Sequence, residues 1–126
     1  MADFEAEALA VVDYYFAALN AQDNDGMRDS FHFPHSRIAG GRMQVFETAE
    51  DYSMQDFHGR TDTDGWAYTK WDHRRLVHGD DTKVHFDVQF SRYRADDSVL
   101  GQFKSLWIVT NRSGKWGVMA RSSYAA

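Results

Sequence analysis

The stretch Phe31-His32-Phe33-Pro34-His35-Ser36-Arg37 sets two imidazoles and a guanidinium close together, the most unusual grouping in the chain. Imidazole moves protons near neutral pH, and guanidinium holds a carboxylate or an oxyanion. Either one of His35 and Arg37 lines a pocket mouth while the other packs or bonds to backbone, or both are structural or exposed. His32 and His35 stand at a junction between helix and strand, so they share no fixed face. No third ligand follows at motif spacing, and no metal site is expected. Tyr14 and Tyr15 offer hydroxyls to a carbonyl oxygen, and His73, in the middle of a strand, is the candidate acid or base. No glycine-rich phosphate loop, nucleophile elbow or zinc signature is present, and no cofactor is expected. Zero cysteines exclude thiol catalysis and disulfides and fit a reducing, cytoplasmic setting.

These side chains need elements to position them. Leu9, Val12, Phe16 and Leu19, with Ala8 and Tyr15 widening the stripe, recur at helical steps. Asn20, Asp23, Asn24 and Gly26 break that pattern. A short second helix is expected from about Asp25 to Phe31, ended by Pro34. His35 to Ala39 reads as a strand, Gly40-Gly41 as a turn, and Met43, Val45 and Phe46 as the return. Thr48 is a candidate N-cap, with Glu50 and Asp51 near the positive end of a third short helix carrying Tyr52, Met54 and Phe57 inward. Gly59 to Gly65 reads as a polar loop; Asp56 and His58, just upstream, have no assigned place. From Trp66 the period becomes two, clearest in Val84, Phe86, Val88 and Phe90. Asp80-Asp81, Asp96-Asp97 and Ser113-Gly114 supply turns, giving an antiparallel meander after helices: an α+β chain.

The 126 residues fit a single domain spanning 1–126, and an aromatic share of 15% points to a ring-lined interior. A net charge of -5 argues against a nucleic-acid partner. Arg74-Arg75 and Arg92-Tyr93-Arg94 read as solvated strand ends. No apolar run reaches membrane-spanning length, and the acidic start Met1-Ala2-Asp3-Phe4-Glu5 is unlike a signal peptide.

Strand register locates a pocket. Turns on those dipeptides set Val77 against Val84, Arg75 against Phe86, His73 against Val88, and Trp71 against Phe90. The next hairpin sets Phe90 against Phe103, Val88 against Ser105, Phe86 against Trp107, and Val84 against Val109. The last is read with Val109 against Trp116, Trp107 against Val118, Ser105 against Ala120, Phe103 against Ser122, and Gly101 against Tyr124. One face then gathers nearly every large apolar residue, together with His73, Arg75, Ser105, Ser122 and Tyr124. Such polar groups must pair internally or face a cavity. His73 therefore either lines the pocket or is a core histidine bonded to a hydroxyl. Trp71, Phe86, Phe90, Ser105, Trp107 and Tyr124 are expected around a small apolar or aromatic ligand, with Trp71 either core or stacked on that ligand. Leu100, Leu106, Ile108 and Met119 collect on the opposite face, either as a homodimer interface or as scattered surface apolars.

The chain resembles the nuclear-transport-factor-2-like superfamily, also called SnoaL-like or ketosteroid-isomerase-like, and is most similar to its uncharacterised bacterial members. The resemblance spans almost the whole chain. It rests on Val11-Val12-Asp13-Tyr14-Tyr15-Phe16-Ala17-Ala18-Leu19-Asn20 followed by Asp23 and Asp25, and on Phe31 to Arg37. It rests also on Phe90-Ser91-Arg92-Tyr93-Arg94 and Gly114-Lys115-Trp116-Gly117-Val118. None of these strings is a catalytic signature. The resemblance implies a cone-shaped antiparallel sheet wrapped around N-terminal helices, with a blind pocket and often a dimer. The scaffold hosts isomerases, dehydratases, cyclases and binding modules, so it does not fix function. A ketosteroid-isomerase mechanism needs a carboxylate base in the pocket, whereas Asp72 and Asp87 point outward in this register. A scytalone-type dehydratase uses tyrosines, histidines and an aspartate, which Asp13, Tyr14, Tyr15, His32 or His35, and His73 match in composition only. Two readings follow: acid–base catalysis without a cofactor, with His73, Tyr14 and Tyr15 as the catalytic groups, or a non-catalytic ligand-binding or dimerising domain.

Overall fold

The computed structural model describes residues 3–53 and 65–125. Helix α1 (Phe4–Ala21) opens on Asp3, whose side chain accepts from the Ala6 N–H, and closes on Gln22 in the left-handed region. It buries Ala8, Val12, Tyr15, Phe16 and Leu19 of the stripe read from spacing, and Ala18 besides, while Leu9 is only half-buried. Helix α2 (Asn24–Asp29) is capped by Asp23 and ends at Ser30. Pro34 does not terminate it. That residue lies within strand β1 (Phe31–Ala39), after a cis Phe33–Pro34 peptide bond. Strand β2 (Arg42–Phe46) returns from Gly40-Gly41, both at positive φ. The expected third helix is one 3-10 turn, Ala49–Asp51, with Thr48 and Asp51 forming a capping box. Tyr52 is buried as expected, while Met54, Asp56, Phe57 and His58 lie outside the described residues.

Strands β3 (Tyr68–Gly79), β4 (Lys83–Tyr93), β5 (Val99–Arg112) and β6 (Lys115–Ser123) complete a six-stranded sheet ordered β2-β1-β6-β5-β4-β3. The expected antiparallel meander holds from β3 to β6, but β1 joins β6 in parallel. Helix α1 covers the concave face. Asn20 ties it to β3 through both of its amide atoms, which bond the backbone C=O and N–H of Thr69 at 2.9 and 2.8 Å. Asp13 pairs with Arg74, and Glu7 accepts from Trp116 Nε1 at 3.0 Å. Among the described residues no helix is long and apolar enough to cross a membrane.

The central β4–β5 register is the one expected: Phe90 with Phe103, Val88 with Ser105, Phe86 with Trp107, Val84 with Val109. The flanking registers differ. In β3, irregularities fall between Trp71 and His73 and between Leu76 and His78. Trp71 still meets Phe90, but His73 pairs with Gln89, Arg74 with Val88 and Arg75 with Asp87. In β6, a tight Ser113-Gly114 turn pairs Arg112 with Lys115 and Val109 with Val118. An irregularity at Met119 then pairs Ala120 with Ile108, Arg121 with Trp107 and Ser123 with Ser105. Each added residue reverses the faces of everything beyond it. Val77, expected inside, is 46% exposed.

Candidate functional site

The reversal in β6 furnishes the interior with charge. Alternation from Trp116 and Val118 would turn Ala120, Ser122 and Tyr124 inward. The extra residue instead turns Arg121, Ser123 and Ala125 inward, and all three are buried. They border a cavity shared with Arg37 on β1, Arg92 on β4, and the walls Tyr15, Phe90, Ser105 and Trp107. Its free space, about 30 Å³, admits roughly two water-sized atoms. The three guanidiniums at this cavity are each at most 9% exposed, and no Asp or Glu among the described residues borders it.

Arg121 is held by neutral partners. Its Nε donates to His35 Nε2 at 3.0 Å, and its Nη1 reaches the Tyr15 hydroxyl at 3.4 Å. The guanidinium lies 5.0 Å from the Phe31 ring centroid and 5.6 Å from those of Tyr15 and Trp107. Among the described residues it has no carboxylate partner. His35 is fully buried, stacked on Phe31 at 3.9 Å, and its Nδ1 lies 2.9 Å from the Val118 carbonyl oxygen. That carbonyl can only accept, so Nδ1 carries the hydrogen and Nε2 offers its lone pair to Arg121. Burial, then the Arg121 charge, and to a lesser degree that of Arg37, push the His35 pKa down to about 2. His35 is thus a neutral acceptor that aims a guanidinium, and it takes no part in proton transfer near neutrality.

Arg37 and Arg121 are register partners on adjacent parallel strands, which brings two like charges to one face. Arg37 also donates to the Ala125 carbonyl. Tyr15 continues the network to Tyr52 at 2.8 Å. Because guanidinium only donates, the Tyr15 oxygen accepts from Arg121 and its hydrogen is free for Tyr52. Trp107 Nε1 donates to Ser105 Oγ at 2.9 Å, and that hydroxyl donates to the Ser122 carbonyl at 2.9 Å, which fixes the indole wall.

Of the residues singled out from sequence, Tyr15, Arg37, Phe90, Ser105 and Trp107 meet at this cavity. His35 stands directly behind Arg121. Phe86 is fully buried core, and Trp71 is stacked on Phe16 at 3.6 Å, a packing role. His73 is displaced from the interior: the irregularity after Trp71 puts it beside Gln89, with Nε2 3.7 Å from Asp87 on the outer face. Tyr14 is 43% exposed on the outer side of α1, and Tyr124 is 80% exposed. Arg92 and Arg121 were missed. Arg92 continues the inward alternation of Val84, Phe86, Val88 and Phe90 but was read as part of a solvated strand end, whereas Arg121 sits where strict alternation misleads, its signal being the adjacent apolar run Val118-Met119-Ala120, which breaks period two. Among the described residues no group of three or more potential ligands could hold a metal ion.

The sequence matches the family model described as NTF2-like protein (DUF6841) over residues 6–126. No curated protein matches it. Similar solved structures include a protein of unknown function with a cystatin-like fold from Nostoc punctiforme. It has 14% identity and a TM-score of 0.77, with 95% of this chain and 89% of that one covered. A ketosteroid isomerase-like protein from Erwinia carotovora has 11% identity, a TM-score of 0.71, and coverage of 98% and 97%. A Catenulispora acidiphila protein in complex with S-DNPA has 16% identity, a TM-score of 0.73, and coverage of 95% and 91%. At such identities the likeness is one of fold.

Proposed function

The chain belongs to the NTF2-like family described as DUF6841, and from that premise we propose that it binds a small molecule inside the cone. The supporting observation is a small cavity ringed by buried polar side chains, with Arg121 held only by neutral groups. Desolvating such groups is costly, and a core built for stability alone would fill the space with apolar side chains. The similar Catenulispora acidiphila structure in complex with S-DNPA supports a bound compound on this scaffold.

A catalytic version of this reading rests on Tyr15 and Arg121. A hydroxyl beside a buried guanidinium is suited to stabilising a developing oxyanion, as an isomerase, dehydratase or cyclase requires. Histidine acid–base work has no support: His73 is outside and His35 stays neutral. The test is a small-molecule screen read by tryptophan fluorescence and thermal shift, with Ser123→Leu as the variant that fills the cavity. Saturable ligands that Ser123→Leu abolishes support the site. Ligands bound equally by that variant, or none at all, oppose it. We also propose self-association through the outer-face residues Leu100, Leu106, Ile108 and Met119, Leu106 being 38% exposed. Sedimentation showing monomer alone at micromolar concentration removes that proposal.

A further inference from the structure

We propose that His78 and His85 form a binding site for a divalent transition-metal ion on the outer face of the sheet, near the turn that joins β3 to β4. The site is separate from the cavity and does not depend on what the cavity binds.

An irregularity in the strand makes the pair. From Leu76 opposite Phe86, regular pairing would set Val77 against His85. The irregularity between Leu76 and His78 inserts one residue, so His78 becomes the register partner of His85. Val84 and Phe86 are buried in the core, so His85 between them projects outward, and its partner shares that face. The two ring centroids lie 5.8 Å apart with their planes at 69°. Two imidazole nitrogens about 2.1 Å from one ion hold their ring centroids roughly 5–6 Å apart, according to the angle at the metal. Side-chain rotation alone would close the pair on an ion.

Neither imidazole is spent elsewhere. Among the described residues no hydrogen bond or ion pair engages either ring, and His85 Nε2 is enclosed without a partner. Burial, then the charges of Lys83 and His78, lowers the His85 pKa, so near neutrality its ring keeps a lone pair. The groove beside the two rings has free space of about 270 Å³ and is bordered also by Gly79, Asp80 and Lys83. That is room for an ion and its waters. Lys83 opposes a cation there, and Asp80 offsets it. The Asp80 Oδ1 accepts from the Thr82 hydroxyl and from the N–H groups of Thr82 and Lys83, which leaves Oδ2 unpartnered among the described residues.

Ligand type selects the metal. Imidazole suits copper, nickel and zinc, whereas magnesium and calcium prefer oxygen. Two protein nitrogens leave the other positions to water, so the ion is exchangeable. Strand β3 is the last in the sheet, and the ion would clasp that edge to β4.

The test uses the full chain without a polyhistidine tag, titrated with CuCl2, NiCl2, ZnCl2 and MgCl2 by calorimetry and thermal shift. Pulsed electron paramagnetic resonance at one equivalent of copper counts the nitrogen ligands. The expected result is one saturable site with copper tightest, magnesium unbound, a raised melting temperature for each ion that binds, and two imidazole nitrogens on copper. His78→Ala and His85→Ala should each weaken binding at least about tenfold, because either one removes the chelate. His73→Ala, also on the outer face, should leave binding unchanged. Fewer than two nitrogens, binding undiminished in either of the first two variants, or an equal loss in His73→Ala overturns the proposal. The nitrogen count is read on the unaltered protein, so it decides even if a variant does not fold.

Discussion

The β4–β5 hairpin and the two strands that flank it obey different rules. The hairpin keeps strict alternation over its inner face, and Val84, Phe86, Val88, Trp107 and Val109 are all buried at 2% exposure or less. Strands β3 and β6 each carry irregularities that exchange their faces. The regular pair builds the apolar wall and carries Arg92 and Ser105 inward with it, and the irregular strands decide whether the further polar groups on β6 and β3 enter. In β6 the exchange admits Arg121 and Ser123. In β3 it expels His73 and brings Arg74 against α1 to meet Asp13. A bulge re-aims side chains at the sites it adjoins, and here it separates packing from chemistry.

That contrast can be broken at its centre. Phe86→Ala in the regular hairpin, at a fully buried site, should cost about 3–5 kcal/mol in urea denaturation. A cost near that of a surface substitution would mean the wall is not continuous.

A smaller loss is expected at Gly117 in β6, where an added Cβ would come within 2.8 Å of the His32 ring. That ring is pinned by Nε2 donating to the Lys115 carbonyl at 2.8 Å, so it has little room to yield. Gly117→Ala should destabilise by about 1–3 kcal/mol. A neutral outcome would show the strand free to shift outward.

The regular hairpin was legible because one register buries Val84, Phe86, Val88, Phe90, Trp107 and Val109 together, and a slip would scatter them. The helical stripe of α1 and the Thr48 cap were legible for equally local reasons. The interior of β6 was not. The Ser113-Gly114 turn fixes its start, but the irregularity at Met119 falls where β6 also pairs in parallel with β1, between residues some eighty positions apart. Arg37 and Trp107 could be assigned inward from their own strands. Arg121 needed the neighbour. His73 failed for the same reason, through the irregularity next to Trp71.

His35 offers a pH test of the charged interior. Above about pH 6.5 the residue is neutral in both folded and unfolded chains and contributes nothing. As pH falls below that value, the unfolded chain takes a proton that the folded one refuses until about pH 2. Stability should therefore drop by up to about 1.4 kcal/mol per pH unit in that window. His35→Gln should lessen the slope, as read from urea midpoints between pH 7.5 and 5. An unchanged slope would show that His35 titrates normally and is not buried against Arg121.

The smallest effect belongs to His73. Its pair with Asp87 is partly exposed, at 27% and 49%, so His73→Ala should change stability by less than about 0.5 kcal/mol. It should also leave ligand binding untouched from about pH 5 to 8. Loss of binding in this variant would return the imidazole to the interior.

Because the chain has no cysteine, single thiols can report the facing of β6 without background. Ser122→Cys and Ser123→Cys would each be labelled with a thiol reagent under native conditions. Ser122 is exposed, whereas Ser123 is 9% exposed. The thiol of the first variant should therefore react freely, and that of the second at least about tenfold more slowly. The reverse order of rates would put Arg121 on the outside and contradict the charged cavity.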